Sequence, residues 1–519
     1  MGTGEDLNGA QALMRTLVDS GVTTCFSNPG TSEMHFVAAL DSAPEMRAVL
    51  ALFEGVATGA ADGYARMAGK PAATLLHLGP GLGNGLANLH NARKGQSPVV
   101  NIVGDHATYH RQYNAPLQSD IETVAANVSP WVRTSASTAE LCTDAAEAVA
   151  AASGPPGQVA TLILPADVSW TEGGTPAPPK EPTNAAAPDS RVVDAVAAAL
   201  RSGEPTMFLL GGTATLEAPL ILAGRLREAT GARLLAQTFP TRIARGAGLP
   251  AVGRLPYLAE AAAGALAEVR HLVLVDAPHP ASFFAYPDLP SDLVSEGCTV
   301  HHLAPPDADA VAALTSVVDA IEAPETYTAQ EASRPERPSG DLTAESVSQA
   351  IGALLPKNAI VSDEANTAGF GLPQMTVGAP RHDWLTLTGG AIGQGLPVAV
   401  GAAVACPDRK VLALQADGSA LYTIQALWTM AREELDVVTV IFNNRSYAIL
   451  NMELQRVGAD GSGPKALSQL DLSRPDLDFV SIAQGFGVPA VRPTTAEEFT
   501  TELERALAEP GPHLIEAVL

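Results

Sequence analysis

Two polar clusters follow neighbouring apolar runs near the carboxyl end of the chain. Asp417 comes after the run 411–415, and the pair Asn443 and Asn444 comes after the run 437–442. Short runs of this kind are typical of strands buried on both faces. Because neighbouring parallel strands end at the same edge of a sheet, we expect the carboxylate and the amides to lie close together. Carboxylate, amide and carbonyl oxygens are ligands that Mg²⁺ prefers, so the spacing predicts a metal and diphosphate site. Either cluster alone would more simply be a turn.

The residues between these runs predict the element that positions the site. Segment 421–434 carries apolar residues at helical intervals, which predicts a strand, a helix and a second strand in succession. Gly418 and Ser419 precede that helix, where free backbone N–H groups favour an anion. The unit therefore places a phosphate-binding turn beside the predicted metal ligands.

The same alternation of strands and helices recurs in three blocks of the chain. Such alternation is typical of parallel sheets covered by helices, so we expect an α/β protein with three consecutive domains. Two stretches rich in Pro, Gly and Ala separate the blocks. The predicted domains span residues 1–175, 190–325 and 341–519.

Composition excludes several classes of protein. The 519 residues carry a formal net charge of −25, which would repel the phosphates of nucleic acids. The four cysteines are scattered without metal-ligand spacing, which is typical of a reducing compartment. The N-terminus lacks the basic and apolar regions of a signal peptide, and no segment predicts a membrane span. We therefore expect a cytoplasmic protein that binds neither nucleic acid nor membrane.

Residues 416–446 resemble the cofactor motif of thiamine diphosphate (ThDP) enzymes, which begins Gly-Asp-Gly and ends Asn-Asn. Ala416 replaces the first glycine of that motif. Residues 27–40 and 50–92 resemble the corresponding parts of benzoylformate decarboxylases and acetolactate synthases, and the likeness covers nearly the whole chain. It is weakest in the middle block. The resemblance implies ThDP and Mg²⁺ as cofactors, with the metal held by Asp417, Asn444 and the carbonyl of Ser446.

The resemblance also implies further contacts to the cofactor. The glycine-rich segment around residue 392 lets the backbone approach closely, and Ile392 matches the bulky residue that bends ThDP, although it could also be an ordinary core residue. The expected cofactor-binding residues are Asn28, Pro29, Gly30, Asn366, Thr367, Gly390, Ala391, Ile392, Asp417, Gly418, Ser419, Asn444, Ser446 and Tyr447.

Glu54 stands between an apolar run and a segment rich in Gly and Ala. A carboxylate at a helix start is favourable in any protein, so the position alone assigns no chemistry. The resemblance implies a bond to the aminopyrimidine ring that promotes loss of the thiazolium proton. In related dimers the first domain of one subunit faces the third domain of the other. This implies a homodimer or a dimer of dimers with active sites between subunits.

Four residues are expected to handle the substrate. By the resemblance, His77 matches a proton-transferring histidine of benzoylformate decarboxylase, although a lone histidine at a strand end is more often structural. Gln118 matches a glutamine of acetolactate synthases, and Thr31 keeps a hydroxyl where the decarboxylase has serine. Ile449 is expected in the pocket wall. The decarboxylase's second histidine has no clear counterpart, because phenylalanine occupies its approximate place and His279 is displaced.

The residues and the resemblance together predict an enzyme acting on a small 2-oxo acid. The first expectation is an acetolactate synthase-like activity, in which decarboxylation to an enamine precedes ligation to a second carbonyl compound. The alternative is a benzoylformate decarboxylase-like enzyme that releases an aldehyde, favoured by His77, by Thr31 and by the lack of a recognisable FAD site. A noncatalytic paralogue that serves as an assembly partner is the third reading.

Overall fold

The computed structural model describes residues 7–459, 461 and 463–519. Within that part of the chain, the strands form three sheets dominated by parallel pairs and one small antiparallel sheet. Helices pack on the parallel sheets, as they must where each strand needs a long crossover to reach its parallel neighbour. The predicted fold class is confirmed.

The first third of the chain builds a six-stranded parallel sheet. Six strands form it, namely β2 (Thr24–Asn28), β3 (Arg47–Leu50), β4 (Ala72–Leu76), β5 (Val99–Asp105), β6 (Trp131–Thr134) and β7 (Val159–Pro165), whereas β1 (Leu7–Asn8) and β8 (Glu172–Gly174) form the small antiparallel sheet. The helices are α1 (Gly9–Asp19), α2 (Met34–Ala39), α3 (Glu54–Ala68), α4 (Leu78–Lys94), α5 (Ile121–Ala126), α6 (Thr138–Ser153) and α7 (Ala166–Trp170). The strand order is β3-β2-β4-β5-β7-β6, and every residue of β5 and β7 is buried, which explains why both strands are mostly apolar.

The middle block builds a five-stranded parallel sheet in the order β12-β10-β9-β13-β14. Its elements are α8 (Ser190–Ser202), β9 (Thr206–Leu210), α9 (Glu217–Thr230), β10 (Arg233–Ala236), β11 (Arg242–Arg245), β12 (Gly253–Arg254), α10 (Ala259–Leu266), β13 (His271–Val275), β14 (Thr299–Ala304) and α11 (Ala310–Ile321). Strand β11 does not join this sheet.

The last block builds a seven-stranded sheet in the order β11-β16-β15-β17-β18-β20-β19. Its elements are α12 (Ala344–Leu354), β15 (Ile360–Glu364), α13 (Leu372–Met375), β16 (His382–Leu385), α14 (Gly395–Ala405), β17 (Val411–Ala416), α15 (Asp417–Ala420), α16 (Ala426–Arg432), β18 (Val437–Asn443), α17 (Ala448–Arg456), α18 (Pro464–Ser468), α19 (Phe479–Gly485), β19 (Ala490–Val491), α20 (Ala496–Ala508) and β20 (His513–Val518). All neighbours are parallel except β11 and β16.

One short strand crosses the boundaries expected from the sequence. Strand β11 belongs to the middle block but pairs antiparallel with β16 of the last sheet. Strand β8, at the start of the first proline-rich stretch, stays within the first block and pairs antiparallel with β1. The domain ranges 1–175, 190–325 and 341–519 stay a prediction, and the pairing of β11 with β16 ties the middle block to the edge of the last sheet.

The helix expected at 421–434 is wrong in its extent. The structure has a single turn, α15, directly after β17, and the helix α16 begins only at Ala426. Between them the backbone makes bonds of the tighter type, from Tyr422 N–H to Ser419 and from Thr423 N–H to Ala420. The connection from β17 to β18 is therefore a turn, a bend and a short helix, and it keeps the turn that begins at Asp417 close to the sheet edge.

Helices α3 and α14 cross at close range and join the first and last sheets in one core. A side-chain carbon at Gly401 would collide with the Ala60 carbonyl oxygen, and one at Gly63 would collide with the Val398 carbonyl. Only glycine leaves room for backbones this close. The small residues of α3 therefore serve a helix of the last block rather than the first sheet alone.

A buried ion pair fixes the same contact. Arg66 Nη2 lies 2.7 Å from Asp62 Oδ2, and both side chains are fully buried. Gln394 Nε2 donates to Asp62 at 2.8 Å, and Arg66 Nη1 donates to the Thr386 carbonyl at 2.8 Å. Because a buried charge needs such partners, the network holds segment 386–394 against α3.

Candidate active site in two parts

The predicted metal ligands meet at the carboxyl edge of the last sheet. Strands β17 and β18 are parallel neighbours with Ala416 opposite Phe442, so Asp417 and Asn444 leave the sheet side by side. Asp417 Oδ2 accepts from Arg445 N–H at 2.7 Å, and its Oδ1 accepts from Gly418 N–H at 2.8 Å. The backbone of the two turns therefore fixes the carboxylate in place.

Asp417 is a buried charge without a matching cation. Only 1% of the residue is exposed, and burial raises the pKa of its carboxyl group above the ordinary value. No Lys, Arg or His of the described residues forms an ion pair with it. A carboxylate held in this way favours a bound metal ion, which would supply the missing positive charge.

The two asparagines that follow β18 have different roles. Asn443 is 2% exposed and donates from Nδ2 to Glu516 Oε1 of β20 at 2.8 Å, so it holds the sheet together. Asn444 is half-buried, lines the cavity beside Asp417, and accepts from Ser446 N–H at 3.0 Å. The second asparagine is therefore the one placed to offer an oxygen to a metal.

The donor set suits Mg²⁺ rather than a softer metal. Across residues 7–459, 461 and 463–519, no group of three or more His, Cys, Asp or Glu side chains could hold a metal ion. Asp417, Asn444 and the carbonyl of Ser446 instead offer a carboxylate, an amide and a backbone oxygen. Mg²⁺ accepts such hard oxygens and keeps positions for phosphate and water, so the residues fit both cofactors.

Ala416 fits the turn that the resemblance would assign to glycine. Its φ is −73° and its ψ is 148°, an extended conformation open to any L-residue. The substitution therefore introduces no backbone strain at the start of the motif.

A cavity of about 760 Å³ opens over this sheet edge. Most of the cofactor residues expected in the last block line it, which brings together side chains that are far apart in sequence. They are Asn366, Thr367, Gly390, Ile392, Asp417, Gly418, Ser419, Asn444, Ser446 and Tyr447, together with the expected substrate residue Ile449. Ala391 is the exception: its backbone N–H and carbonyl bind the side chain of Asn91.

Asn366, one of the expected cofactor-binding residues, bonds a second turn of the site. Asn366 adopts a positive φ of 50° and donates from Nδ2 to Ser419 Oγ at 2.9 Å. Asn tolerates this left-handed conformation better than most residues. The bond joins the turn after β15 to the turn after β17, on the side where a diphosphate would lie.

Segment 389–395, which carries Ile392 and which we name the wedge loop, is fixed from the sheet below it. The carboxylate of Glu364 accepts from Gly393 N–H at 2.7 Å, from Gly395 N–H at 2.6 Å and from Gln415 Nε2 at 2.9 Å. Burial raises the pKa of Glu364 to about 7. Sequence reasoning missed Glu364, because its partners lie 29 to 51 positions away.

An aromatic wall from the middle block closes one side of the cavity. Phe239, Tyr257 and Phe283 stack with ring centroids 5.3 to 6.3 Å apart, and Phe284 extends the cluster. The expectation that phenylalanine replaces a second catalytic histidine is consistent with this placement. His279 lies elsewhere and bonds Asp292 at 2.8 Å.

One polar pair interrupts the aromatic wall. Tyr257 Oη donates to Glu453 Oε1 at 3.3 Å, and both residues line the cavity. Glu453 Oε2 lies 3.7 Å from Arg456 Nε, so its charge is partly balanced from behind. The wall thus presents an acidic oxygen beside aromatic rings, which disfavours a second carboxylate at that end of a substrate.

The expected residues of the first block form a separate group. Glu54 begins α3, is 8% exposed, and accepts from Asn84 Nδ2 at 3.0 Å. Asn28 donates to the Ala51 carbonyl at 2.8 Å on the neighbouring strand. This group comprises Asn28, Pro29, Gly30, Thr31, Glu54, His77 and Gln118. Of the described residues that line the 760 Å³ cavity, none belongs to it.

Sequence reasoning also missed the partner of His77. Glu33 Oε2 lies 2.8 Å from His77 Nδ1 and accepts from Gly30 N–H at 2.7 Å. Glu33 is 1% exposed, and burial raises the pKa of its carboxyl group. A carboxyl group at Nδ1 orients the imidazole and leaves Nε2 free for proton transfer. The two residues are 44 positions apart, so spacing carries no signal for the pair.

The remaining substrate residues of the first block lie on loops. Gln118 is half-buried, and within the described chain its Oε1 has no hydrogen-bond partner, whereas its Nε2 makes a long bond of 3.4 Å to the Ser119 carbonyl. Thr31 is exposed at the start of a short helical turn. The Thr31 side chain is therefore open to a ligand, whereas the Gln118 oxygen is a buried acceptor that lacks a partner in the described chain.

No helix in the described part of the chain is long and apolar enough to span a membrane.

Comparisons with known proteins identify the family. The model of the N-terminal TPP binding domain of thiamine pyrophosphate enzymes matches residues 7–126, and that of the C-terminal TPP binding domain matches residues 354–517. A Mycobacterium tuberculosis protein named as a candidate acetolactate synthase large subunit, IlvX, is 62% identical over 99% of both chains. Benzoylformate decarboxylase of Pseudomonas aeruginosa is 30% identical over 96% of both chains.

A solved structure agrees with these sequence relatives. The thiamine diphosphate-dependent 4-hydroxybenzoylformate decarboxylase of Rhodococcus jostii superimposes with a TM-score of 0.83 and 25% identity, over 98% of this chain and 99% of that one. The resemblance stated from the motifs is confirmed. The chain belongs to the thiamine pyrophosphate (ThDP) enzyme family, of the acetolactate synthase and benzoylformate decarboxylase type.

Proposed function

We propose that the chain is a ThDP- and Mg²⁺-dependent enzyme that decarboxylates a 2-oxo acid. The observation that carries this proposal is the buried carboxylate of Asp417, which lacks a cation partner among the described residues and lies beside Asn444 and Ser446 in the cavity. When bound there, ThDP supplies a carbon nucleophile for the 2-oxo carbon and accepts the electrons released with CO₂.

The residues of the last block bind and orient the cofactor. Asp417, Asn444 and the carbonyl of Ser446 would hold Mg²⁺, and Gly418, Ser419, Asn366, Thr367 and Tyr447 would contact the diphosphate end. Gly390 and Ile392 on the wedge loop would set the angle between the two rings. The aromatic wall adds apolar surface to the same cavity, and with the cofactor bound it would keep water away and strengthen these polar contacts.

The residues of the first block supply proton chemistry from a second copy of the chain. Glu54 would bind the aminopyrimidine ring, near Asn28, Pro29 and Gly30, while His77 would move a proton at the substrate. Large apolar side chains stand exposed beside both groups, including Met34 and Leu52 at 45% and Phe370 at 60%. A homodimer, or a dimer of dimers, would bury these faces and bring the two groups together.

For the fate of the decarboxylated product, we propose ligation to a second carbonyl compound, as in acetolactate synthases. The 62% identity to the M. tuberculosis relative supports this choice, and Gln118 offers a free amide oxygen within the described chain. Simple decarboxylation is the second candidate. The bond between Glu33 and His77 favours it, because an oriented imidazole can protonate the product before a second substrate arrives.

Product analysis with pyruvate and with benzoylformate tests the proposal. Acetolactate from pyruvate is the expected result, and an aldehyde as the sole product would contradict ligation and support simple decarboxylation. A protein that binds ThDP and Mg²⁺ but releases no CO₂ from any of a panel of 2-oxo acids would contradict both activities. That last result would support a noncatalytic assembly partner.

A further inference from the structure

Three asparagines lie on one face of α4. Asn84, Asn88 and Asn91 are spaced by four and three residues, which places them one above the other along the helix. Asn88 is 3% exposed and Asn91 is fully buried. We name these three side chains the asparagine ladder. Nothing in the cofactor motif or in the assignment of site residues gives it a role.

The first rung reaches the catalytic carboxylate. Asn84 Nδ2 donates to Glu54 Oε2 at 3.0 Å. The second rung contacts Gly55, the residue that follows Glu54 on α3, because Asn88 Nδ2 donates to the Gly55 carbonyl at 2.7 Å. Two successive amides of α4 therefore fix the start of α3, from which the side chain of Glu54 extends.

The ladder also reaches the wedge loop of the last block. Asn88 Nδ2 makes a second, longer bond of 3.3 Å to the Gly393 carbonyl. Asn91 binds both backbone groups of Ala391: it donates to the carbonyl at 2.8 Å and accepts from the N–H at 3.1 Å. The residues bound in this way stand on either side of Ile392.

The two buried rungs are joined to one another. Asn91 Nδ2 donates to Asn88 Oδ1 at 3.1 Å, so the amide that holds Ala391 also orients the amide that holds Gly55 and Gly393. Two buried amides satisfied at this many points specify one arrangement of their partners, whereas Asn84 is exposed and reaches only Glu54. The ladder thus fixes the start of α3 and the wedge loop with respect to one another.

From this geometry we propose that Asn84, Asn88 and Asn91 are positioning residues that hold Glu54 and Ile392 in the orientations that catalysis needs. The inference rests on the proposed function for the roles of Glu54 and Ile392. Because these two residues of one chain would serve two different active sites of a dimer, the ladder also connects those sites mechanically.

The substitution Asn88→Asp tests the hydrogen bonds of the ladder without creating a cavity. Aspartate has the same shape, but an oxygen replaces the amide that donates to Gly55 and Gly393, and an oxygen facing a carbonyl is repelled. Asn91→Ala and Asn84→Ala release one end each. Asn101→Ala is the matched control, since Asn101 is also a fully buried asparagine bonded at both ends, to Thr74 and Thr161, away from the ladder.

Amide hydrogen exchange on the cofactor-free protein reads the geometry directly. Asn88→Asp should speed exchange in both the wedge loop and the first turn of α3, whereas Asn91→Ala should speed it mainly at Ala391. Asn101→Ala should leave both segments unchanged. Unchanged exchange in both segments of Asn88→Asp would overturn the proposal that the ladder holds them. This measurement needs no substrate.

Kinetics then test positioning. We expect Asn88→Asp to lower kcat about 100-fold with KM within about threefold of the wild type, because a displacement of about 1 Å at reacting groups has an effect of that size. The near-ultraviolet circular dichroism of bound ThDP should change as well, since it reports how the rings are held. Faster exchange with an unchanged kcat and an unchanged spectrum would overturn the positioning role. Absence of turnover in the wild type would instead count against the proposed function alone.

Discussion

The two groups of site residues differ in how complete they are within one chain. The group in the last block lines a cavity, and its turns fix a buried carboxylate that has no cation partner among the described residues. The group in the first block lines no part of that cavity in the described chain, yet its acidic residues already have partners, as in the bonds of Glu54 to Asn84 and of His77 to Glu33. We propose that the last block binds the cofactor and that the first block orients side chains toward the active site of a partner subunit.

The proposal divides binding and chemistry between separate parts of the molecule. Variants in the last block should lose cofactor affinity, and variants in the first block should lose turnover while the cofactor still binds. Four substitutions test whether binding and chemistry are divided in this way, and they are given from the largest expected effect to the smallest.

Glu54→Gln should have the largest effect. The amide cannot share a proton with the pyrimidine ring, and loss of a positioned acid or base lowers rates by about 10² to 10⁴-fold, so we expect kcat to fall about 1000-fold. Binding of ThDP and Mg²⁺, measured by calorimetry, should stay within a few-fold of the wild type. Glu140→Gln, in the first turn of α6, is the control at another helix start. Wild-type turnover in Glu54→Gln would contradict the division.

Asp417→Asn should show the opposite pattern. Without the carboxylate, the metal loses its charged ligand, and we expect the affinity for ThDP in the presence of Mg²⁺ to fall at least about 100-fold, beyond what outer-shell changes cause. The exposed Asp194, changed to Asn, controls for the loss of one negative charge. The same affinity with and without Mg²⁺ in the wild type would show that the carboxylate does not act through a metal.

Glu364, which holds the wedge loop, should make the stability of the protein depend on pH. Its pKa is raised from 4.5 to about 7 by burial, so the folded state disfavours the ionised form. Its contribution to stability is therefore fully present below about pH 4.5 and is lost as the pH rises through about 7. We expect the free energy of unfolding of the wild type to lose about 2 to 3 kcal/mol over this range relative to Glu364→Gln. Parallel pH profiles of urea unfolding for the two proteins would contradict the shift.

Glu33→Gln should have the smallest effect of the four. Glutamine keeps the shape but weakens the bond that orients His77, and we expect kcat to fall about tenfold with unchanged cofactor affinity. Because Glu33 acts through His77, the double variant with His77→Gln should be no slower than His77→Gln alone. Additive losses in this cycle would mean that Glu33 acts independently.

The sequence predicted the binding half of the site better than the catalytic half. Asp417, Asn444 and Ser446 stand close together in one strand–turn–strand unit, and the parallel pairing of β17 with β18 follows from local patterns. The α/β class followed from the same alternation of apolar runs. By contrast, the helix at 421–434 was drawn too long, because apolar spacing does not reveal the tight turns between Ser419 and Thr423.

Contacts between distant segments were beyond prediction from a single sequence. Glu33 and His77 are 44 positions apart, and Asn91 and Ala391 are 300 apart, so neither pair leaves a spacing signal. The edge strand β11 joins the last sheet from the middle block through tertiary pairing alone.

Hybrid dimers test most directly that one active site needs two chains. Glu54→Gln and Asp417→Asn subunits, each with its own affinity tag, can be coexpressed and the doubly tagged dimer isolated. In that dimer one site receives an intact Glu54 and an intact Asp417, and the other receives neither. If each active site needs Glu54 from one chain and Asp417 from the other, we expect roughly half of the wild-type activity per dimer, although each parent is nearly inactive. A hybrid as inactive as its parents would place both residues of a site in the same chain and would contradict an active site formed by two chains.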